Sequence, residues 1–273
     1  MDEDSRLAYS FENIKNAYRA AGVTRGKVVL LKTDLRSLGL FGSPGREAVL
    51  QAHFQALAEL VDLSVGTIVV HTASTYLCNT DTPYDPANTP SERGVLTEFI
   101  RKQDGAVRSY HPFMSFTAIG AQAEFICSDV SRHAFGLETP KARMLELDAM
   151  YLSVGAKPNK TCSYVHQMEM LMGVPYRYTK EFSHPIVQPD GSVDEELFYM
   201  FVWYRGMDLN RDSNKKIFQY CNQAELDIQQ ADLGRGHVYG YSCVDFCNHV
   251  AEYLRQDIYG WTSSPPVNRP YCK

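Results

Sequence analysis

Two short apolar runs on either side of a long amphipathic segment constrain the fold of this chain more than any other feature. Residues 27–32 (Lys-Val-Val-Leu-Leu-Lys) and 66–70 (Gly-Thr-Ile-Val-Val) are typical of buried strands. The segment from 44 to 62 has helical periodicity, and Ser43-Pro44 matches an N-cap followed by proline at the first helical position. Its apolar face consists of Leu50, Phe54, Leu57 and Val61. A strand, a long helix and a strand form a crossover unit with parallel strands, so the sequence predicts an α/β fold with a layered, mostly parallel sheet and flanking helices.

The remaining segments extend this pattern along the chain. Ser10 is placed to cap a first helix that Gly22 ends, and the prolines and turn formers of residues 76–92 predict an ordered loop. Helices are further predicted at 94–102, at 161–172 and over most of 215–256, strands at the end of 106–120 and at 150–155, and a β-hairpin excursion at 181–204 with its turn at Pro189-Asp190-Gly191. We expect residues 1–273 to form a single domain, with a sub-lobe boundary near 180 left open.

Composition and charge argue against several function classes. Across 273 residues, 27 Lys and Arg against 32 Asp and Glu give a net charge of −5 without basic runs, which argues against nucleic acid or a membrane as the main partner. No apolar stretch approaches the roughly 18 residues that span a bilayer. The acidic start, residues 1–4, does not resemble a signal peptide, so we expect a cytoplasmic location. The seven cysteines include no CxxC pair, which argues against a disulfide framework or a zinc site, and Cys243 and Cys247 fit core thiols.

One pair of residues at helical spacing offers acid–base chemistry. His166 and Glu169 are three residues apart in a predicted helix and therefore project from the same face. A carboxylate beside an imidazole fixes its tautomer and raises its basicity, which suits a general base. The same spacing also occurs in surface ion pairs, so the pair alone does not establish a function.

Three polar segments are further candidates. Residues 208–212 follow an apolar strand and could hold a cationic amine, although a charged turn or a helix cap explains them as well. His111, in the run from 108 to 112, could contact an anionic ligand or anchor a turn. Residues 32–34 (Lys-Thr-Asp) end the first predicted strand, and ligands of α/β sheets bind at the carboxyl ends of strands.

Several common site types are missing from the sequence. Residues 32–34 are not followed by the Gly-Lys-Ser/Thr of a P-loop or the GxGxxG of a dinucleotide site, and no GxSxG of a serine hydrolase occurs. Cys162 and His166 are four residues apart in one helix, which is not the usual layout of a cysteine nucleophile and its base.

Four stretches, in the same order, resemble the aminoglycoside 3-N-acetyltransferase family, whose members use coenzyme A thioesters and have an α/β fold distinct from the common small acetyltransferase fold. They are Tyr84-Asp-Pro86 with Thr89-Pro-Ser91 and Gly94-Val-Leu-Thr-Glu98; Arg108-Ser109-x-His111-Pro112-x-x-Ser115 with Ala118-x-Gly120; His133-Ala-Phe-Gly136 with Thr139-Pro140; and Ser163-Tyr-Val-His166-Gln-Met-Glu169 with Val174-Pro-Tyr-Arg-Tyr178. The second stretch is the most specific, and the likeness covers most of residues 10–215.

The resemblance implies acyl transfer from a coenzyme A thioester to a primary amine, without a metal. It implies that His166 is the general base and that Glu169 orients it, with Asp208 as a second carboxylate that binds the amine or completes the pairing. The implied path of the coenzyme follows Thr33, Asp34, Arg108, Ser109, His111 and Ser115. The implied acceptor contacts are Thr72, Tyr84 and Asp212. Since no activated Ser or Cys is apparent, we expect direct attack without an acyl-enzyme.

Two departures from the family pattern bear on the substrates. Residues 32–34 stand where many members have His-Ser-Ser or His-Ala-Ser, which leaves that coenzyme contact open. The loop between Thr72 and Tyr84 is shorter and less acidic than in members that acetylate aminoglycosides, and a polycation needs several carboxylates. We therefore expect an amino sugar, nucleotide-linked or free, ahead of an aminoglycoside antibiotic, whose acetylation would confer resistance.

A coenzyme A-binding protein without activity is a third alternative. The acyl group, acetyl or longer, and a homodimer are left open.

Overall fold

The structure, a computed structural model, describes residues 8–212 and 215–269. Its helices are α1 (Phe11–Ala20), α2 (Arg46–Val61), α3 (Val95–Arg101), α4 (Ala123–Cys127), α5 (Pro140–Glu146), α6 (Pro158–Thr161), α7 (Tyr164–Leu171), α8 (Lys215–Gln223) and α9 (Cys243–Gln256). Its strands are β1 (Val28–Thr33), β2 (Thr67–His71), β3 (Val107–Arg108), β4 (Phe116–Gly120), β5 (Met150–Val154), β6 (Arg177–Val187), β7 (Val193–Trp203), β8 (Gln229–Leu233) and β9 (Gly236–Ser242). The acidic start of the chain lies outside the described residues.

Seven of these strands form one sheet in the order β3-β4-β2-β1-β5-β9-β8. The central strands β2, β1 and β5 are parallel, whereas β4 and β9 pair antiparallel with their neighbours, so five of the seven strands run in one direction. Helices α1 to α3 pack on one face of the sheet, and α4, α5, α7, α8 and α9 pack on the other. The predicted α/β class, with a layered, mostly parallel sheet, is confirmed.

Strands β6 and β7 form a separate two-stranded hairpin. Its turn lies at the predicted position, where Gln188 N donates to Ser192 O and Gly191 has a φ of +86°. The hairpin contacts the loop of residues 76–92 through a bridge between Tyr84 and Ile186. Residue 180, near which a sub-lobe boundary was left open, lies inside β6, and the organisation as a single domain stays a prediction.

One sequence-based expectation for the secondary structure is wrong, and another is incomplete. Helix α2 begins at Arg46 with Gly45, at a φ of +101°, as its N-cap, so Ser43 and Pro44 precede the helix rather than start it. Residues 215–256 are mostly helical, as expected, but a β-hairpin that the sequence did not predict separates α8 from α9. That hairpin turns at Gly234, whose φ of +58° suits glycine and where a Cβ would lie 2.1 Å from the carbonyl oxygen of Leu38.

Sheet register fixes which side chains meet at the carboxyl edge of the central strands. Leu31 pairs with Val70, so Lys32 and His71 lie side by side one position further along β1 and β2. Because side chains alternate between the faces of a strand, both project toward the face that α7 covers, as Leu30 and Val69 do. Thr33 projects toward the opposite face, with Leu31.

Candidate active site

Helix α7 brings His166 and Glu169 together. Nδ1 of His166 lies 2.6 Å from Oε2 of Glu169, the Glu169 side chain is fully buried, and 24% of the His166 side chain is exposed. A carboxylate can only accept, so Nδ1 carries the proton and the lone pair of the neutral imidazole is on Nε2. Such a ring can take a proton from a substrate that approaches Nε2.

Two residues of the run from 174 to 178 complete the surroundings of Glu169. The hydroxyl of Tyr176 donates to Oε1 at 2.8 Å, and Nε of Arg177 lies 3.1 Å from the same oxygen. Burial would raise the pKa of Glu169, but hydrogen bonding and charge from His166, together with the charge of Arg177, outweigh it and lower this pKa. The carboxylate therefore stays ionised. The sequence contains this motif, yet no role for Tyr176 or Arg177 followed from it before the structure placed them here.

The surroundings of His166 favour the neutral ring. Burial lowers the pKa of the imidazole, Glu169 acts in the opposite direction, and the charges of Arg177 and Lys141 lower it further. The ring packs edge-on against Phe135 and Trp261, with centroid distances of 5.9 and 5.0 Å. Near neutral pH the imidazole is therefore free to accept a proton.

Arg177 joins α7 to the β6–β7 hairpin and to the segment that follows α9. Its Nη1 donates to the carbonyl oxygen of Phe201 at 3.0 Å. Its guanidinium lies over the rings of Trp203 and Trp261 at 5.5 and 5.0 Å, and the two indole rings are 5.2 Å apart. This wall of the site combines distant parts of the chain, so local sequence patterns gave no signal for it.

The carboxyl edge of the sheet adds a pair of basic groups: Lys32, from the candidate segment 32–34, and His71, to which the sequence analysis assigned no role. Nζ of Lys32 lies 3.2 Å from Nδ1 of His71, and Nε2 of His71 has no hydrogen-bond partner among the described residues. Burial lowers the pKa of Lys32 to about 7, and the nearby cations Arg93 and Lys141 lower it as well. The departure from the family pattern at position 32 was a signal that this residue is unusual.

Arg108 is enclosed by the loop of residues 72–92, and all five of its N–H donors have partners. These acceptors are the hydroxyl oxygens of Ser74 and Ser115 and the carbonyl oxygens of Thr72, Pro86 and Thr89. The guanidinium also lies 5.0 Å above the ring of Tyr84. These bonds hold the loop in place, and contact of Arg108 with the coenzyme stays a prediction.

His111 is buried in the segment between β3 and β4 and anchors a turn there. Its Nδ1 accepts from the backbone N–H groups of Phe113 and Met114 at 3.2 and 3.3 Å, so Nε2 carries the proton and donates to the carbonyl oxygen of Tyr199 at 3.4 Å. Burial lowers the pKa of His111 to about 4. Both ring nitrogens are therefore used within the chain, which favours the turn-anchoring alternative over contact with an anion.

The other residues expected around this loop also bond within the chain. Oγ of Ser109 accepts from Phe116 N at 2.9 Å, and the hydroxyl of Tyr84 donates to the carbonyl oxygen of Ser109 at 3.3 Å. The hydroxyl oxygens of Thr72 and Ser115 are 3.2 Å apart. All four of these side chains are buried. Contacts of Ser109 and Ser115 with the coenzyme, and of Thr72 and Tyr84 with the acceptor, stay predictions.

Thr33 and Asp34 lie at the carboxyl edge, as expected, but not on the face of α7. Thr33 projects to the opposite face, and the Asp34 side chain is exposed. The backbone N–H of Asp34 donates to the carbonyl oxygen of Val154 at 2.8 Å. Contact of these two residues with the coenzyme also stays a prediction.

The structure gives Asp208 and Asp212 local structural contacts. Asp208 is exposed, and its Oδ1 accepts from Val267 N at 3.2 Å. Oδ2 of Asp212 accepts from Lys216 N at 2.8 Å, in the first turn of α8. The carboxylate that pairs with His166 is Glu169, so the alternative that Asp208 completes the pairing is not what the structure shows. Binding of an amine by either residue stays a prediction.

Two further site types find no support within residues 8–212 and 215–269. Burial raises the pKa of the Cys162 thiol to about 11, which disfavours a thiolate nucleophile. In the same part of the chain, no group of three His, Cys, Asp or Glu side chains is arranged to hold a metal, and no helix is long and apolar enough to cross a bilayer.

Comparison with known sequences places the chain among acetyltransferases. The sequence profile described as aminoglycoside 3-N-acetyltransferase matches residues 30–255. The aminoglycoside N(3)-acetyltransferase III of Pseudomonas aeruginosa is 24% identical over 205 residues, which cover 68% of this chain and 72% of the relative. The aminoglycoside N(3)-acetyltransferase VII of Streptomyces paromomycinus is 33% identical over 143 residues, which cover 50% of this chain and 44% of the relative.

Solved structures show the same fold. The structure of AAC-IIIb in a binary complex with CoASH has a TM-score of 0.77 at 20% identity and covers 94% of this chain and 99% of its own. The YokD protein of Bacillus subtilis has a TM-score of 0.76 at 20% identity and covers 92% of this chain and 95% of its own. Since the profile matches well over half of the chain, the protein belongs to the aminoglycoside 3-N-acetyltransferase family, a family of acyltransferases.

Proposed function

We propose that this protein transfers an acetyl group from acetyl-coenzyme A directly to a primary amine of an aminoglycoside, with His166 as the general base. The observation that carries the proposal is the His166–Glu169 pair on α7, at 2.6 Å, supported by Tyr176 and Arg177. The names of the sequence relatives favour an aminoglycoside over the free or nucleotide-linked amino sugar that we expected first.

Acetyl transfer to an amine requires different roles of His166 and Glu169. As the amine nitrogen attacks the thioester carbonyl, a C–N bond forms, the C–S bond breaks and the nitrogen loses a proton. Nε2 of His166 accepts that proton and then donates it to the leaving sulfur, so the coenzyme leaves as the thiol and the imidazole returns to its neutral form. Glu169 holds Nδ1 and stabilises the imidazolium. Attack therefore needs no acyl-enzyme, in agreement with the raised pKa of Cys162.

The donor approaches along the carboxyl edge of the sheet in this proposal. Ser153 and Tyr239 pair in register beside Lys32, on the face covered by α7. Tyr239 also lines a cleft of about 520 Å³ whose walls include Lys157 and Lys215. Two lysines at this edge suit the phosphates of coenzyme A, and the AAC-IIIb neighbour was solved with CoASH.

A nucleotide-linked amino sugar is the second candidate acceptor, and one observation favours it. The guanidinium of Arg211 lies 5.0 Å above the ring of Trp261, which itself packs against His166. A cation on the side of the site that Trp261 forms would repel a polycation and attract a phosphate.

The test is release of free thiol from acetyl-CoA against a panel of aminoglycosides and nucleotide-linked amino sugars. In His166→Ala we expect turnover to fall by about 10²–10⁴-fold, with coenzyme binding retained. The matched control is His237→Ala, because His237 forms a comparable pair with Asp232, at 2.8 Å, on the surface. Longer acyl thioesters in the same assay measure the donor range.

Each outcome of the panel has a definite meaning. Turnover with an aminoglycoside supports the proposal, and turnover with a nucleotide-linked amino sugar alone replaces it with the second candidate. Coenzyme binding without thiol release with any amine would show an inactive binding protein. Full activity in His166→Ala would remove His166 from the role of base.

A further inference from the structure

Lys141 lies in an unusual position for a charged side chain. It is the second residue of α5 and is completely buried, with 0% of its surface exposed. Burial disfavours an ammonium, and the first turn of a helix carries positive partial charge, which disfavours a cation further. A side chain that is unfavourable on both counts calls for an explanation beyond packing.

The ammonium of Lys141 is bonded to the start of α7. Its Nζ donates to the carbonyl oxygen of Ser163 at 2.6 Å. The same carbonyl accepts from the backbone N–H of His166 at 3.2 Å. Lys141 and His166 therefore share one acceptor, which fixes the first turn of the helix that carries the base.

The loop before α5 adds two more connections to α7. The ring of Phe135 has Nζ of Lys141 4.6 Å from its centroid and the ring of His166 at 5.9 Å, so one aromatic ring contacts both groups. The side-chain amide of Gln167 bonds both the N–H and the carbonyl of Gly136, at 2.9 and 3.0 Å. Lys141 thus belongs to a rigid connection that ends at His166.

No carboxylate is named among the described groups that act on the ammonium of Lys141. Burial lowers the pKa of Lys141 to about 7, and the titratable groups that face it are Cys162, before α7, and Cys243 and Cys247 on α9, whose thiols burial keeps neutral. On β1, Lys32 is a neighbouring cation on which the charge of Lys141 acts.

At His166, three charged groups act on the imidazole. Glu169 raises its pKa, whereas Arg177 and Lys141 lower it. The charge of Lys141 therefore reaches the imidazole and favours its neutral form.

We propose that Lys141 is a positioning residue for His166: its hydrogen bond to the carbonyl of Ser163 fixes the first turn of α7, and its ammonium favours the neutral imidazole. This role rests on the proposed function, but its central claim concerns the resting protein. It can therefore be tested without any turnover.

The experiment is an NMR titration of the His166 imidazole in the full chain and in Lys141→Met, with the resonance assigned by its loss in His166→Gln. Methionine keeps an unbranched side chain that is one atom shorter, and it removes Nζ together with its charge and its hydrogen bond to Ser163. We expect the pKa of His166 to rise by about 0.5 or more in Lys141→Met and to stay constant in Lys27→Met, which removes an exposed lysine that pairs with Asp148. The acid limb of kcat/KM should move in the same direction.

Two results would overturn the proposal. One is an unchanged pKa of His166 in Lys141→Met with only a lower melting temperature, which would make Lys141 a purely structural residue. The second result is measured in the unmodified protein, so the test remains possible if Lys141→Met does not fold. In the unmodified protein, the His166 resonance should show a second inflection near pH 7 as Lys141 loses its proton, and a single inflection would show that His166 does not sense that charge. Loss of thiol release with both inflections retained would count against the proposed function alone.

Discussion

His166 and His111 are both part of the stretches that resemble the family, yet the structure gives them opposite surroundings. His166 is partly exposed, pairs with a buried carboxylate and has its lone pair on Nε2. His111 is buried, uses Nδ1 to accept two backbone N–H groups and has no carboxylate partner in its described hydrogen bonds. The second stretch is the most specific of the four, but its histidine stabilises a loop. How specific a motif is for the family therefore does not indicate whether its histidine is placed for proton transfer or for structure. The hydrogen-bond partner of the imidazole is the better guide.

The largest expected effect on turnover tests the catalytic side of this comparison. In Glu169→Gln, the amide can no longer stabilise the imidazolium, and we expect kcat/KM to fall on the order of 10²-fold. The rate is measured by thiol release and divided by the folded fraction from circular dichroism, since Arg177 also loses its charged partner. Asp232→Asn, which changes the surface pair with His237, serves as the control and should have no effect on the rate. Equal rates for Glu169→Gln and the unmodified protein would remove the distinction between the two histidines.

The next effect tests the structural side. Arg108→Met leaves three carbonyl oxygens and two hydroxyl groups, on residues 72–89 and on Ser115, without their donor. We expect the free energy of unfolding to fall by about 3 kcal/mol or more, measured by denaturant titration. Turnover per folded molecule should change little. Arg255→Met, at an exposed ion pair on α9, is the control. A specific loss of coenzyme affinity with unchanged stability would instead make Arg108 a coenzyme contact.

The smallest effect concerns the protonation of His111. Its pKa is about 4 in the folded protein and lies near the ordinary 6.5 in the unfolded chain, so the unfolded chain binds more protons below pH 6.5. The stability from this residue is thus complete above pH 6.5 and falls as the pH drops toward 4, with a loss of about 2 kcal/mol between pH 7 and pH 5.

His111→Asn keeps an acceptor for the two backbone N–H groups and does not titrate. Unfolding free energies at pH 7 and pH 5 should therefore differ less in the variant. His53, whose pKa burial lowers to about 3, contributes equally to both proteins and cancels in the difference. The same pH dependence in both proteins would mean that His111 is not held neutral by burial.

Elements of the fold that have a periodic sequence pattern could be predicted. Contacts that depend on the register of the sheet or on residues far apart in the chain could not. The crossover from β1 through α2 to β2 follows from apolar patterning, and the spacing of His166 and Glu169 predicts their pairing. The β8–β9 hairpin was missed because its short alternating strands lie between two helices. Lys32 and His71 meet only through sheet register. Trp261 reaches His166 from the far end of the chain, and no local pattern encodes that contact.

The indole pair beside Arg177 has a practical consequence. The chain has only two tryptophans, Trp203 and Trp261, and their rings are 5.2 Å apart at the wall of the site. Excitation at the red edge of indole absorption therefore reports on this wall alone. Binding of coenzyme or acceptor can be followed by intrinsic fluorescence in stopped flow, and no engineered label is needed.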